Sequence, residues 1–328
     1  MHIPVWVWAA TVAGLLILIA VDFLVGRRPH EVSLREAGLW GLFWVLAAGL
    51  FCGGLWWLAG AHEASAFLAG YVTEKSLSVD NLFVFVLIMT RFAVPAPLRQ
   101  RVLLVGVLLA LVLRTAFIAL GAAAVASFTW VFFLFGAVLV WTAWKLVSGA
   151  GAAEEEYHEN ALLRRVRRTL PSAEGYRGTR LTVREGGRRL VTPLLVVIVA
   201  IGTTDLLFAL DSIPAIFGLT KDPYIVFTAN AFALMGLRQL YFLIGGLLDR
   251  LIYLSYGLAA ILAFIGVKLV LEALPSVGVH GPNISTTFSL AVIGGVLAVT
   301  TAASLVVARR RRAAGHVSEA AQKTDSVV

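Results

Sequence analysis

Two stretches of this chain carry carboxylates where carboxylates are expensive. Glu74-Lys75-Ser76-Leu77-Ser78-Val79-Asp80-Asn81 and Asp205-Leu206-Leu207-Phe208-Ala209-Leu210-Asp211-Ser212 each set two acids six residues apart, and each follows the second acid with a small polar side chain. Both lie inside segments apolar enough to cross a bilayer. An ionised acid at the centre of a membrane helix costs roughly 2.5–3.5 kcal/mol on insertion scales, so four unpaired ones would cost on the order of 10–14 kcal/mol. Carboxylates kept twice at that cost, and at one spacing, point to a cation.

The donor set narrows the cation. Carboxylates, the Asn81 amide, the Ser212 hydroxyl and backbone carbonyls are hard oxygen donors. No paired Cys or His stands within the apolar segments, so zinc or copper is not the expected ion. Oxygen-rich sites suit Mg, Ca or Mn and separate these three poorly. On a helix, residues seven apart share a face and residues six apart do not. Glu74, Ser78 and Asn81 therefore form one stripe, and Asp205, Ala209 and Ser212 another. Asp80 and Asp211 lie roughly 120° round from their partner acids. Pro214 offers a way to re-aim Asp211, because its ring takes the Leu210 carbonyl out of the helical ladder. The expectation is that Asp80 and Asp211 are the principal ligands, Glu74 and Asp205 the second acids, and Asn81 and Ser212 assistants. Lys75, Arg114 and Arg238 either neutralise these acids as buried pairs or release one when the metal arrives. Asp22, near the end of the first apolar run, reads more plainly as a solvated or Arg-paired acid.

The elements that must position these groups are membrane helices. The chain has 328 residues, 59% of them hydrophobic and 14% charged, with a mean hydropathy of +0.88. Soluble domains run near one quarter charged, so an all-α, polytopic helical bundle is expected. The net charge of +8 belongs to basic cytoplasmic loops rather than to a nucleic-acid interface. Cys52 is the single cysteine, so there is no disulfide framework. Met1 to Val21 carries neither Lys nor Arg, which argues for a retained first span and not a cleaved signal peptide.

Apolar runs of about 20 residues can be drawn nine times, near 5–25, 37–59, 65–90, 101–123, 126–147, 192–218, 224–246, 251–272 and 286–308. Basic and bare connections alternate along this map, which places the start outside and the end inside. Spans one to five fill 1–147, and spans six to nine fill 191–308. Between them a basic cytoplasmic loop, 148–190, holds nine arginines. Its stretch 162–168 is amphipathic and suits anionic headgroups or a partner protein, and 180–190 reads as a small hairpin. The end, 309–328, reads as a disordered cytoplasmic tail. His62, His158 and His280 fall in connections and read as solvated residues.

The alternation gives the two acidic motifs opposite directions, the mark of an inverted-topology repeat. Each motif span is followed by a Pro-bearing loop, and each next span carries an embedded arginine, Arg114 or Arg238. Spans three to five (65–147) would then mirror spans six to eight (191–272) as a 3+3 inverted repeat.

Glu74–Phe85 and Thr204–Phe217 resemble the paired signatures of the TerC/Alx family, and Asn230–Arg238 resembles its next motif. Asp22, the turn before Pro193 and Lys145 also fit, and the likeness covers nearly the whole chain except the tail. The resemblance implies a multi-pass protein of the bacterial cytoplasmic membrane linked to manganese efflux and homeostasis and to tellurite resistance. It implies Mn2+ as transported ion, with no permanently bound cofactor, and it is the resemblance that selects manganese over magnesium and calcium. It also marks a departure: many members have a Glu where this chain has Gly202.

Two other classes compete. Aspartyl intramembrane proteases need an aspartate dyad, but neither Asp80 nor Asp211 follows their Gly-x-Gly pattern, so no enzyme is expected. A non-transporting scaffold in metal or tellurite stress, docking partners through the 148–190 loop, is the alternative. Tellurite itself suits the motifs poorly, since an oxyanion needs donors and helix N-termini rather than four acids.

Overall fold

The computed structural model describes the backbone of residues 3–25, 33–149, 173, 175–185, 188–244, 253–279, 282 and 284–325, and within them all side chains but those at 23–25, 80, 83, 149, 185, 188, 244 and 308–325. The 162–168 stretch lies outside the described residues. Apolar sequence with no water available must satisfy its backbone internally, so it forms helices. These are α1 (Val5–Val25), α2 (Leu34–Ala59), α3 (Ala61–Arg91), α4 (Ala96–Ser127), α5 (Val131–Gly149), α6 (Pro193–Phe217), α7 (Pro223–Leu234), α8 (Leu237–Ile244), α9 (Leu254–Ala273) and α10 (Thr286–Asp325). Proline in the first turn starts α4, α6 and α7, where its missing N–H goes unused. Ser33 caps α2 by accepting from the Glu36 N–H, and Asp222 caps α7 by accepting from the Tyr224 N–H.

Among the described residues, eight stretches are long and apolar enough to cross a membrane. They correspond to α1, α2, α4, α5, α6, α7 together with α8, α9, and the first part of α10. The ninth expected span, α3, has the length with 31 residues, but its Glu74, Lys75 and Asp80 make it too polar to stand among the eight. The protein is a polytopic helical membrane protein.

Between α5 and α6, β1 (Thr182–Glu185) and β2 (Arg188–Val191) form the expected hairpin, with Thr182 opposite Val191. Tyr176 ties this connection to the end of α3 by donating to the Phe92 carbonyl at 2.8 Å. Burial pushes its phenol above the ordinary range.

The core is built on three helix pairings. Gly70 of α3 sits so close to Ala229 of α7 that a Cβ there would stand 3.1 Å away. On α4 and α6, Gly106 abuts Ile201 and Gly202 abuts Leu109. On α5 and α9, Gly136 and Gly266 approach each other's backbone oxygens. Small residues at membrane helix contacts permit this approach. Every residue of α7 from Tyr224 to Leu234 is buried, whereas α1, α2 and α10 present many apolar side chains outward. Trp6, Trp56, Trp57, Trp130, Trp141 and Trp144 are exposed, as membrane-interface anchors are.

The structure differs from the sequence reading in two elements. The break expected at Pro214 falls elsewhere: α6 runs through Pro214 to Phe217. Pro214 lies in the last turn, so only one carbonyl loses its N–H there. The seventh span is the broken one. Met235 is extended (φ −63°, ψ 135°) and Gly236 has φ +80°, a left-handed conformation that ends a helix. The second difference is α10, which continues to Asp325 where a disordered tail was expected. Arg309 to Ala314 and Ala320-Ala321 are strong helix formers, and a helix already begun extends easily through them.

Candidate cation site

The acids of the two motifs meet on one arginine. Arg114 of α4 binds Asp205 of α6 bidentately, Nε to Oδ2 at 3.0 Å and Nη2 to Oδ1 at 2.9 Å. Its Nη1 donates to the Glu74 carboxylate of α3 and, at 3.0 Å, to Ser212 Oγ. Relative exposures are 0% for Arg114, 0% for Glu74 and 1% for both Asp205 and Ser212, so the cluster is closed to bulk solvent. The parallel run of α4 along α6 explains the meeting: Gly106–Ile201, Leu109–Gly202 and Arg114–Asp205 are successive contacts of one interface. With both carboxylates ionised the cluster carries a net charge of −1, one positive charge short of neutral.

Asp211 takes the other direction, as the six-residue spacing requires. It is half-buried and accepts from Thr142 Oγ1 of α5 at 2.7 Å. Among the described side chains, Glu74 and Asp205 are the acids that converge, and Asp211 stands apart from them. The side chain of Asp80 lies outside the described residues. Asn81 is buried on the Glu74 stripe.

Several buried polar atoms have no hydrogen-bond partner among the described residues: Glu74 Oε2 of this cluster, Thr73 Oγ1 and Ser78 Oγ on the same helix α3, and both amide atoms of Asn230 on α7. A buried polar group left unpaired costs about 1–3 kcal/mol, and such groups mark places built for a ligand or water. Among the described residues no three His, Cys, Asp or Glu side chains form a metal cluster. The unpartnered oxygens there are instead one carboxylate oxygen, the two hydroxyls of Thr73 and Ser78, and the Asn230 amide oxygen.

The other two bases do not join the cluster. Lys75 Nζ donates to the carbonyls of Ala233 and Met235, at 3.0 and 2.9 Å. Arg238 Nη2 donates to Asp22 Oδ1 at 2.7 Å, and Gln239 Nε2 to the same oxygen at 3.1 Å. Arg238 lies beyond the break in α7, which displaces it toward α1, so the two embedded arginines have different partners. A small cavity beside the break is lined by Asp22, Trp44, Leu108, Met235 and Arg238 among others.

Sequence reasoning missed Thr142, Gln239, and the buried Lys268, which lies 3.6 Å from Glu272. Lys268 and Glu272 had a signal, opposite charges at i,i+4 in an apolar run. Thr142 had none, since its role depends on how α5 packs against α6. Gly202, where the family resemblance implies a Glu in many members, faces Leu109 so closely that a Cβ would lie 2.3 Å from Leu109 Cδ2. Here α4 fills the space a longer side chain would need.

The family model described as integral membrane protein TerC family matches residues 59–312. An uncharacterized membrane protein of Mycobacterium tuberculosis is 46% identical over 309 residues, 90% of this chain and 78% of its own length. One of Myxococcus xanthus is 41% identical over 294 residues, 89% of this chain and 90% of its own. Alx of Escherichia coli, whose name describes a membrane-bound redox modulator, is 39% identical over 303 residues, 89% of this chain and 92% of its own. No solved structure matches the chain.

Proposed function

The chain belongs to the TerC family of integral membrane proteins, and on that premise we propose that it exports a divalent metal cation, most readily Mn2+, across the bacterial cytoplasmic membrane. The observation that carries this reading is the meeting of Glu74 and Asp205, buried and from separate motif helices, on the single guanidinium of Arg114. Buried intramembrane acids are costly and mark ion pathways. A divalent cation approaching Glu74 Oε2, with Ser78 and Asn230 supplying neutral oxygens, would compete with Arg114 for the carboxylates. Arg114 then acts as the internal counter-ion that keeps the empty site closed, and Asp211, held by Thr142, serves as a further carboxylate on the way in or out. No bond is made or broken, so the protein is a transporter and not an enzyme.

The pairing of α3 with α7, α4 with α6 and α5 with α9 supports an inverted repeat of two three-helix units, because exchanging the units maps each pairing onto another or onto itself. The N-terminus outside and the C-terminus inside follow from the distribution of arginines. The name of Alx admits a redox role, but this chain has one cysteine and so no internal dithiol to exchange.

The test is Mn2+ flux in proteoliposomes. Glu74→Gln and Asp205→Asn should each lower flux at least about tenfold, the lower end of what losing even an outer partner costs a metal site. Asp211→Asn should slow it less. Flux no greater than in protein-free liposomes, or wild-type flux in well-folded Glu74→Gln and Asp205→Asn variants, overturns the proposal.

A further inference from the structure

Ending a helix inside the membrane takes up to four carbonyls out of the hydrogen-bond ladder, and no water is at hand to meet them. At the end of α7, the Met235 N–H still reaches the Ala231 carbonyl at 3.1 Å, and the ladder resumes with the Leu240 N–H on the Gly236 carbonyl at 3.0 Å. Between these two bonds lie the carbonyls of Ala233 and Met235, and both accept from Lys75 Nζ. We propose that the carbonyl end of α7 is a monovalent-cation site whose resident occupant is the Lys75 ammonium, making Lys75 the positioning residue that holds the break at Met235–Gly236.

Three features favour a cation there over a neutral donor. The twelve residues of α7 point the negative end of their dipole at this spot. All of α7 from Tyr224 to Leu234 is buried, so little solvent screens that dipole. Met235 is extended and Gly236 left-handed, which turns the Met235 carbonyl out of the helical direction so that one ammonium can take it together with the Ala233 carbonyl. An ammonium has three donors and no acceptor, the complement of converging carbonyls.

The neighbouring residue gives the contact a mechanical meaning. Glu74 holds α3 to α4 through Arg114, while Lys75 holds the same turn of α3 to the break in α7. One turn of α3 thus registers the acidic cluster against the break. Beyond the break, Arg238 and Gln239 engage Asp22 of α1.

The inference does not rest on transport and is tested without metal. In full-length protein carrying Cys52→Ser and Met235→Cys, the rate of N-ethylmaleimide modification reports opening of the break. Lys75→Ala and Lys75→Met should raise that rate about tenfold or more, as expected when charge-assisted hydrogen bonds are lost, and Lys75→Arg should leave it near the parent value. Added n-propylammonium should slow the reaction again in Lys75→Ala, while n-propanol at the same concentration should not. Where Lys75→Ala fails to fold, extraction in n-propylammonium should recover folded protein and n-propanol should not. Unchanged rates in both Lys75→Ala and Lys75→Met, equal rescue by the alcohol, or misfolding that the amine does not correct overturns the proposal. Manganese has no part in this readout, so its failure leaves the transport reading intact, and failed transport leaves this site intact.

Discussion

Arg114 shows how a single buried side chain can make four polar contacts. Its planar fork matches the Asp205 carboxylate bidentately while the remaining edge reaches Glu74 and Ser212. Lysine carries the same charge but lacks this fixed geometry. Removing the arginine leaves two carboxylates buried with no cation, which in buried pairs costs about 3–5 kcal/mol. Arg114→Gln should therefore lower the thermal midpoint of the detergent-purified protein sharply, and Arg114→Lys should fall in between. The neutral triple variant Arg114→Gln/Glu74→Gln/Asp205→Asn should regain most of the lost stability while carrying no flux. Thermal unfolding of the three proteins checks this. A triple variant as unstable as Arg114→Gln would mean that the arginine acts through packing and not charge.

At the scale of elements, the site depends on how closely α4 lies against α6. Gly106 and Gly202 face Ile201 and Leu109 with no room for a Cβ, and this approach brings Arg114 within reach of Asp205. A glutamate at 202, as the family resemblance offers, would have to displace Leu109. Overpacking of this kind costs typically about 1–3 kcal/mol. Gly202→Glu should accordingly lower the thermal midpoint, and Leu109→Ala should recover part of the loss in the double variant though not in wild type. A double variant no more stable than Gly202→Glu alone would locate the penalty in the buried charge rather than in the contact.

At the scale of the whole molecule, the question is which ends of the spans face which side. The arginine-rich 148–190 connection and the arginine-free turns at 60–64 and 274–285 make a consistent assignment. His62, Arg184 and Ser276 are all exposed and serve as reporters. In a Cys52→Ser background, an impermeant maleimide should label His62→Cys and Ser276→Cys on intact cells, and Arg184→Cys only after the membrane is opened. Labelling of Arg184→Cys in intact cells would overturn the map.

Much of this was legible in the residues alone. Apolar length and basic punctuation yielded the helices, because a bilayer leaves the backbone no other solution. The same spacing argument separated Asp205 from Asp211 and kept Glu74 with Ser78, since helical angle depends on sequence distance and nothing else. What remained open was which of those faces meet. That Glu74 and Asp205 share Arg114, that Asp211 turns to Thr142, and that Lys75 seeks carbonyls all depend on inter-helix distances. Those distances are set by where glycines let backbones approach and where Met235 and Gly236 break α7. Two arginines in matching sequence positions looked equivalent, yet the break sends Arg238 to Asp22 while Arg114 stays at the centre. Local sequence dictates the direction each side chain leaves its helix; only the packed bundle decides what it finds there.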